Sequence, residues 1–451
     1  MLGAEVTGFW WPAGWKGRKS QGRLSTEGSA LTLALTEWFD PASHNSDVDV
    51  LVHGVDESGG RHSLLGCFWT SRATSTGLPA SPERWHVDAH LAGVHLSSPD
   101  EPVVSMRVDI PSLLSWSGLG PLAVSGSGGS VGVSGERQSL DVGVVDGARI
   151  ELFVDHLLTA NGDSVTVARS AHFDVTPGVE HQVTIQQAIA RFATPLDDLV
   201  ILLTNHAARL EPLHFTFGAD NGGRPRGAVY HAPRLDDDVP VVAADRRKML
   251  APWPIAAMDF SDLMAAWFKL HDRLGYAVTM VNVPLAVPHQ LGETLVLTAS
   301  LALERLHREL CDPHAEDPVV HQHRKAEILA SAPPEYRDWL RARLGSNERG
   351  FRRKVDDIVE LAGSTGLAVT DAYPQFAKSL AGARNGVAHA TDFRESDGER
   401  YLYLSEPARW IARHVLLLQL GLADEVVTTL IERNPQFQDD LRLLERMNQL
   451  V

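Results

Sequence analysis

Apolar residues in the first half of the chain recur at every second position. The segments 31–35, 48–52 and 150–154 each place Leu, Val or Ile at alternate positions. This period of two is typical of half-buried β-strands, because successive side chains point to opposite faces of a sheet. Turn-forming clusters such as DESGG, SGSGGS and NGDS lie between such segments. With few helical stretches among them, these strands predict a β-rich antiparallel sandwich or barrel-like domain over residues 1–245.

Beyond residue 254 the apolar spacing changes to that of helices. Gly- and Pro-rich breaks at 218–227 and 250–254 precede the change. Amphipathic or buried helices are predicted for MDFSDLMAAWFKLHDRLGYA, GETLVLTASLALERLHREL, NERGFRRKVDDIVELAG, DAYPQFAKSLAGARNGVAHA and EPARWIARHVLLLQLGLADEVVTTLIERN. The pattern therefore predicts an α+β multidomain protein, in which an all-helical domain over residues 246–451 follows the β-rich domain.

Composition and charge narrow the class of protein. The chain is 44% hydrophobic and 22% charged, as expected for a folded protein. It has no apolar run of roughly 18 residues and no secretory-type N-terminus, which argues against a membrane span. Its two cysteines, Cys67 and Cys311, form no disulfide framework, so we expect a cytoplasmic location. A formal net charge of −16 argues against indiscriminate coating of nucleic acid, although a local positive patch can still hold RNA.

One stretch of this acidic chain is basic, RDWLRARLGSNERGFRRK at residues 337–354. Its cations are Arg337, Arg341, Arg343, Arg349, Arg352, Arg353 and Lys354, and its only carboxylates are Asp338 and Glu348. Because Lys and Arg neutralise phosphates, the last four of these cations are predicted to hold an RNA backbone. A solvated helix face is the alternative interpretation.

The segment AGARNGVAHATD at residues 381–392 carries the residue types of a metal-independent ribonuclease. Such an enzyme must move a proton from the 2′-hydroxyl and another onto the leaving 5′-oxygen, and it needs a fixed cation for the phosphate oxygens. His389 suits proton transfer because the pKa of histidine lies near neutrality. Arg384 suits the cation role because its guanidinium binds phosphate in a bidentate way and stays charged. The alternative is a helix C-terminal turn with a histidine favoured by the helix dipole.

The spacing of these two residues favours a site shared by two chains. At about 100° per residue, Arg384 and His389 differ by roughly 140° around a regular helix, so one chain would need a loosened turn at Gly386. A two-fold axis solves this more simply, since it brings two copies of the motif into one cleft. Small residues at Ala383, Gly386 and Ala388 let the two backbones approach closely. We therefore expect a homodimer or a higher homo-oligomer.

The motif consists of an arginine, a polar residue, three more residues and a histidine, and it lies late on a predicted helix. It resembles the signature of HEPN ribonucleases. The stretches FSDLMAAWFKLHDRL, LTASLALERLHREL and NERGFRRKVDDIVEL resemble the preceding helices of ApeA-type HEPN proteins of bacterial anti-phage defence. GRLSTEGSALTLAL, VLVHGVDESGGRHSLLGC and LAGVHLSSPDEPVVSMRVDIPSLLSWSG resemble the β-rich ApeA N-terminal domain. The resemblance covers most of the chain and implies that the helical domain is a HEPN bundle.

This resemblance implies roles for individual residues. Arg384 and His389 take the catalytic positions, and Asn385 takes a polar accessory position. Glu304 matches a recurrent acidic position on an earlier helix, where it would orient the arginine or the histidine. The alternative for Glu304 is a surface or salt-bridged helix residue.

The resemblance also implies a function. It implies a toxic endoribonuclease of abortive infection that needs no cofactor and leaves a 2′,3′-cyclic phosphate and a 5′-hydroxyl on its RNA substrate. The N-terminal domain would be a sensor or regulator with a phage-derived trigger as its partner. The alternative function is a non-catalytic HEPN assembly module or an RNA-binding regulator.

The segment CDPHAEDPVVHQH contains four residues of zinc-ligand types, Cys311, His314, His321 and His323. Their spacing matches no standard zinc finger, and a chance cluster is expected in a chain with 20 histidines. We therefore predict no metal site and keep this cluster as the weaker alternative.

Overall fold

The computed structural model describes residues 5–14, 19–27, 30–36, 50–72, 83–119, 123–127, 130–134, 138–161, 164–206, 212–220, 222–232, 244–255, 258–287, 290–388 and 397–450. The chain divides into two compact units. One comprises Met1–Val200, Ala208–Arg246 and Pro252–Ala265, and the other comprises Ile201–Ala207, Arg247–Ala251 and Ala266–Val451. The first is rich in strands and the second is helical, which confirms the predicted α+β class.

The described strands of the first unit pair in antiparallel fashion. They are β1 (Val6–Pro12), β2 (Ser20–Glu27), β3 (Ala30–Leu35), β4 (Val50–Asp56), β5 (Arg61–Arg72), β6 (Glu83–Val87), β7 (Ala89–Ala92), β8 (Val103–Asp109), β9 (Ala123–Ser127), β10 (Ser130–Ser134), β11 (Gln138–Val145), β12 (Ala148–Asn161), β13 (Ser164–Pro177), β14 (Leu213–Ala219) and β15 (Pro225–His231). Strands β9 and β10 form a separate hairpin, and the others join one sheet.

Six of the described strands close a barrel. Their order is β5-β4-β1-β2-β3-β6, and pairing of β6 with β5 completes the ring. The closing register places Phe68 opposite His86 and Trp69 opposite Trp85. The core of this barrel consists of Trp10, Leu24, Leu31, Leu33, Leu35, Val52, Leu64, Cys67, Trp85 and Val87. The alternate leucines of β3 therefore point inward, as their period of two predicts.

Glycines make room for the Trp10 side chain in this core. A Cβ atom on Gly54 would lie 2.3 Å from the indole ring, and one on Gly22 would lie 3.2 Å from it. The indole Nε1 donates a hydrogen bond to the carbonyl of Gly22 at 3.1 Å, which satisfies its buried donor. Because protein cores are close-packed, a larger residue at position 54 would displace the ring.

The remaining strands extend the sheet beyond the barrel in the order β7-β15-β14-β8-β13-β12-β11. On β12, Ile150, Leu152 and Val154 are fully buried, and the residues between them are partly exposed, which confirms the predicted alternation. In the segment 48–52, β4 begins at Val50, and Val48 lies outside the described residues.

Every segment predicted to be helical contains a helix. The helices are α1 (Leu113–Ser117), α2 (Ile185–Ala188), α3 (Thr194–Thr204), α4 (Phe260–Ala286), α5 (Gly292–Leu310), α6 (Pro318–Ser331), α7 (Arg337–Arg343), α8 (Phe351–Leu361), α9 (Gly363–Ala372), α10 (Phe376–Ala388), α11 (Asp397–Gln419), α12 (Asp424–Glu432) and α13 (Pro435–Leu450). A π-helical turn (Ile189–Ala193) joins α2 to α3, and 3-10 turns occupy Arg246–Lys248 and Pro334–Tyr336. In the described part of the chain, each helix is too short or too polar to cross a membrane.

Helix α11 lies in the core of the helical unit. It packs against α5, α8, α9, α10, α12 and α13, and Leu404, Trp410, Ile411 and Leu416 are fully buried. Helices α5, α8 and α10 also pack against one another. This arrangement brings the helix of Arg384 beside the helices of Glu304 and Lys354.

Candidate active site

Arg384 lies at the edge of the buried face of α10. The buried residues of this helix are Phe376, Ser379, Leu380 and Ala383, whose spacing of three and four residues places them on one side. Arg384 follows directly, with a side chain that is 34% exposed. Asn385 comes next and is exposed. The helix therefore presents Arg384 partly to its neighbours and partly to solvent.

Glu304 joins Arg384 to Lys354. One carboxylate oxygen of Glu304, on α5, lies 3.5 Å from Nη2 of Arg384. The other accepts a hydrogen bond from Nζ of Lys354, on α8, at 3.2 Å. The Lys354 side chain is only 8% exposed and has a second carboxylate, that of Glu348, at 3.4 Å. Both interpretations of Glu304 fit these contacts, since the residue is salt-bridged and also touches Arg384.

The ring of Phe351 lies beside the same guanidinium. The Cζ atom of Arg384 lies 5.2 Å from the centre of this ring. A cation over an aromatic face is stabilised by about 0.5–1 kcal/mol at exposed sites. Nη1 of Arg384 also donates to the side-chain oxygen of Asn385 at 3.4 Å. Sequence analysis missed Phe351, because only the packing of α8 against α10 reveals its contact with Arg384.

The charges around Arg384 leave it able to bind an anion. Two cations share the carboxylate of Glu304, and the 3.5 Å separation from Arg384 is long for a hydrogen bond. A guanidinium has five N–H donors in a planar fork, which matches the geometry of a phosphate. Because Arg384 is partly exposed, part of this fork can reach a phosphate while Glu304 holds the other part.

The catalytic histidine of the sequence prediction, His389, lies outside the described residues, since the described part of α10 ends at Ala388. Within that part, the helix continues through Gly386 without a loosened turn. Of the three small residues expected at a helix–helix contact, Ala383 is 5% exposed and packs inside its own chain. Ala388 is exposed and Gly386 is partly exposed.

Three side chains converge on Asp357 of α8. His307 lies 3.0 Å, Arg349 lies 2.6 Å and Arg353 lies 3.1 Å from its carboxylate oxygens. Burial raises the pKa of Asp357, but hydrogen bonds from His307 and Arg349 and the two arginine charges outweigh it, so that its pKa is lowered. The ionised carboxylate therefore ties Arg349, which precedes α8, to His307 of α5. Sequence analysis missed Asp357 and His307, because a buried charge on an amphipathic helix carries no signal of its own.

The residues predicted to hold RNA differ in exposure. The side chains of Arg349 and Lys354 are 25% and 8% exposed and take part in the ion pairs above. Arg353 contacts Asp357 but is 62% exposed. Arg352 is exposed, and no ion pair links it to another described residue. RNA binding by these four residues stays a prediction.

The four zinc-ligand types are not brought together. Across the described residues, no three His, Cys, Asp or Glu side chains surround a space suited to a metal ion. Both ring nitrogens of His321 already have partners, the carboxylate of Glu316 at 3.0 Å and the carbonyl of Leu344 at 3.1 Å. His314 pairs with the adjacent Asp312, and burial raises the pKa of the Cys311 thiol, which disfavours a metal-binding thiolate.

A cluster of titratable residues in the strand-rich unit was not found from the sequence. Nδ1 of His62 lies 2.8 Å from Nε2 of His90, and Nε2 of His62 lies 3.1 Å from a carboxylate oxygen of Asp56. His90 is 1% exposed and stacks on His231, with ring centres 5.5 Å apart. Burial, together with the neighbouring His62 and His231, lowers the pKa of His90 to about 3. His90 is therefore neutral near pH 7.

Comparison with known families covers both halves of the chain. The family model described as ApeA N-terminal domain 1 matches residues 5–236, about half of the sequence. The family model described as Apea-like HEPN matches residues 297–426, a range that includes Glu304, Lys354 and Arg384. No curated protein and no solved structure matches the chain significantly.

Proposed function

Because this chain belongs to the ApeA-type family of HEPN defence proteins, we propose that it is a metal-independent endoribonuclease that acts as a toxic effector in abortive infection. The observation that supports this most is the cradle of Glu304, Lys354 and Phe351 around Arg384, inside the HEPN match. It supplies a held but partly exposed cation, five positions before the histidine of the motif in the sequence.

In the proposed reaction, the 2′-oxygen attacks the adjacent phosphorus and the bond from phosphorus to the 5′-oxygen breaks. The 2′-hydroxyl gives up its proton to a base, and the 5′-oxygen receives one from an acid, so no external reactant is consumed. His389 serves in this proton transfer, and Arg384 stabilises the charge on the non-bridging oxygens. Asn385 positions the neighbouring groups. The products carry a 2′,3′-cyclic phosphate and a 5′-hydroxyl.

The proposed catalytic unit is a homodimer. The regular helix of α10 up to Ala388 supports this, since Arg384 and a histidine five positions later differ by about 140° on such a helix. A two-fold axis beside Gly386 and Ala388 would bring the Arg384 of one chain near the His389 of the other. In the same proposal, a phage-derived trigger binds the strand-rich unit and regulates the nuclease.

The test is cleavage of total RNA by the purified full-length protein in EDTA. We expect the wild type to cut and His389→Ala to lose at least about 100-fold in rate, since general acid–base catalysis contributes that much or more. Lys378→Ala removes an exposed cation from the same helix and is the matched control. The ends of the fragments should carry cyclic phosphate.

Two results would contradict this proposal. The first is unchanged cleavage by a folded His389→Ala protein. The second is loss of cleavage in EDTA that Mg²⁺ restores. A wild-type protein that binds RNA and never cuts it would support the alternative of an RNA-binding regulator.

A further inference from the structure

Residues 312–350, between α5 and α8, form a helical arm, which comprises α6, α7 and their connections. Both helices are described over their full length, and neither contains a buried residue. By contrast, the neighbouring α5 and α8 each bury one face. Since most helical stability comes from packing of an apolar face, this arm must be held in another way.

The arm is closed at its base by hydrogen bonds between its two ends. The N–H of Ala315 donates to the carbonyl of Asn347 at 2.8 Å, and the N–H of Arg349 donates to the carbonyl of Pro313 at 2.9 Å. Nε of Arg349 also donates to the carbonyl of His314 at 2.9 Å. The same guanidinium is anchored on α8 by the ion pair described above. The arm is therefore fixed to the bundle although its helices are exposed.

Two large aromatic side chains are exposed on this arm. Trp339 is 60% exposed and Tyr336 is 57% exposed. The guanidinium of Arg343 lies over the Trp339 ring, 5.9 Å from its centre. Arg341 pairs with Asp338 and is 58% exposed. An exposed aromatic face beside cations suits a flat partner, because water solvates the ring poorly and such a partner can cover it.

We propose that this arm binds single-stranded RNA, with the Trp339 indole stacked on an unpaired base and Arg341 and Arg343 on the flanking phosphates. Sequence-tolerant sites for single strands combine aromatic faces with cations in this way. The basic stretch 337–354 supplies the cations on a chain whose net charge is −16. This inference rests on the proposed ribonuclease function and names the form of its substrate.

The arm leads directly to the candidate active site. Helix α7 ends at Arg343, and α8 begins at Phe351, the residue that contacts Arg384. Between them, Glu348 contacts Lys354, which in turn contacts Glu304. In this proposal, a strand bound along α7 continues toward Arg384 within the helical unit.

A second copy of this chain fits the same surface less well. The core of a protein–protein interface is depleted in charged residues. Around the exposed ring of Trp339, the residues three and four positions away include Glu335 and Arg343, and Asp338 precedes it. This mixture of an aromatic face with charge suits a base and its phosphates better than an apolar protein face.

The test measures RNA binding without cleavage, in full-length His389→Ala protein. A fluorescent single-stranded oligouridine and a duplex of the same length are titrated, and anisotropy gives Kd. Trp339→Ala should weaken binding of the single strand by about 5- to 150-fold, the range for loss of one stacked base. Trp339→Phe should keep most of the affinity, and Tyr276→Ala, which removes an aromatic that is 52% exposed on α4, should leave it unchanged. Binding of the duplex should not depend on Trp339.

Equal single-strand affinity in Trp339→Ala and its parent, or no binding by the parent, would overturn the proposal. Sedimentation velocity on the same proteins tests whether a second copy of the chain covers this surface instead. If Trp339→Ala dissociates an assembly and leaves RNA affinity unchanged, the arm contacts a second copy and the proposal is wrong. Binding is measured in a variant from which we expect no cleavage. Binding that depends on Trp339 would therefore support the RNA-binding arm even if the wild type does not cleave RNA, so the two proposals can fail separately.

Discussion

Glu304 and Arg384 lie 80 positions apart in the sequence, and their side chains lie 3.5 Å apart in the structure. The contact fixes one edge of the guanidinium, and the second oxygen of the same carboxylate holds the buried Lys354. A single carboxylate thus positions the proposed phosphate-binding cation and neutralises a lysine that has almost no access to solvent.

Replacing Glu304 by Gln should lower the rate of RNA cleavage about tenfold, mainly through kcat. A neutral amide no longer attracts the guanidinium by its charge, and a small misplacement of a catalytic group lowers the rate. Initial rates on a defined single-stranded RNA separate kcat from KM. Glu309→Gln removes the partner of Arg305, at 3.0 Å on the same helix, and should leave the rate unchanged. Equal kcat in the Glu304 variant and the wild type would remove Glu304 from the positioning of Arg384.

Asp357→Asn should destabilise the helical unit by about 3 kcal/mol, because it leaves His307 and Arg349 without their buried carboxylate. The folded-state pKa of Asp357 is lowered, so its contribution is present above the unfolded pKa of about 3.9 and is lost as pH falls below it. The difference from wild type should therefore shrink in acid. Urea unfolding followed by the helical circular-dichroism signal measures it. The adjacent Asp356→Asn serves as control, and an equal loss in that variant would contradict the role of Asp357.

Acid should destabilise the strand-rich unit through His90. Its pKa is about 3 in the folded protein and about 6.5 when unfolded, so between these values the unfolded chain binds more protons. Stability therefore falls as pH drops through this window, by up to about 1.4 kcal/mol per pH unit. His90→Gln should lose less stability than wild type between about pH 6.5 and about pH 4.5. His214→Gln, at an exposed histidine on β14, should follow wild type, and parallel curves for all three proteins would exclude His90.

If two chains share one cleft, specific activity should fall on dilution as the dimer dissociates. Ala388→Arg should produce a monomer of low activity, because a long charged side chain separates helices that meet at an exposed small residue. Gly382→Ala, where an added Cβ atom meets nothing within 4 Å, is the control on the same helix. Sedimentation velocity and cleavage are measured over one dilution series. An active protein that stays monomeric throughout would exclude the shared cleft.

The architecture could be predicted where side-chain periodicity is strong. Leu31, Leu33 and Leu35 indicated an inward-facing strand and form part of the barrel core. The pairing of β6 with both β3 and β5 could not be predicted, because long-range strand partners leave no local pattern.

Helix limits were predicted less well. The last predicted helical segment begins at Glu406, but α11 begins at Asp397 and contains Pro407. It ends at Gln419, and Gly421, with φ of +97°, separates it from α12. The pattern also gave no sign that Arg409 and Arg413 would be only 2% and 1% exposed, since charge ordinarily marks the solvent face of a helix.

The same limit applies to the candidate site. The motif and the family resemblance selected Arg384 and Glu304, which the structure brings into contact. The contributions of Phe351 and Asp357 could not be foreseen. Periodicity tells which face of a helix is buried, but it does not tell which helix lies opposite that face.

Because hydrogen bonds close the base of the arm, the segment between its two ends can be replaced by another segment. The chain leaves the bundle near Pro313 and returns beside it at Arg349, so lengthening, shortening or replacing residues 317–343 need not move α5 or α8. Loop-closure entropy rises only slowly with length, so such changes cost little stability. Changes confined to this arm could therefore alter what the proposed nuclease binds. An engineer could graft another recognition element at the same junction and keep the cradle of Arg384 intact.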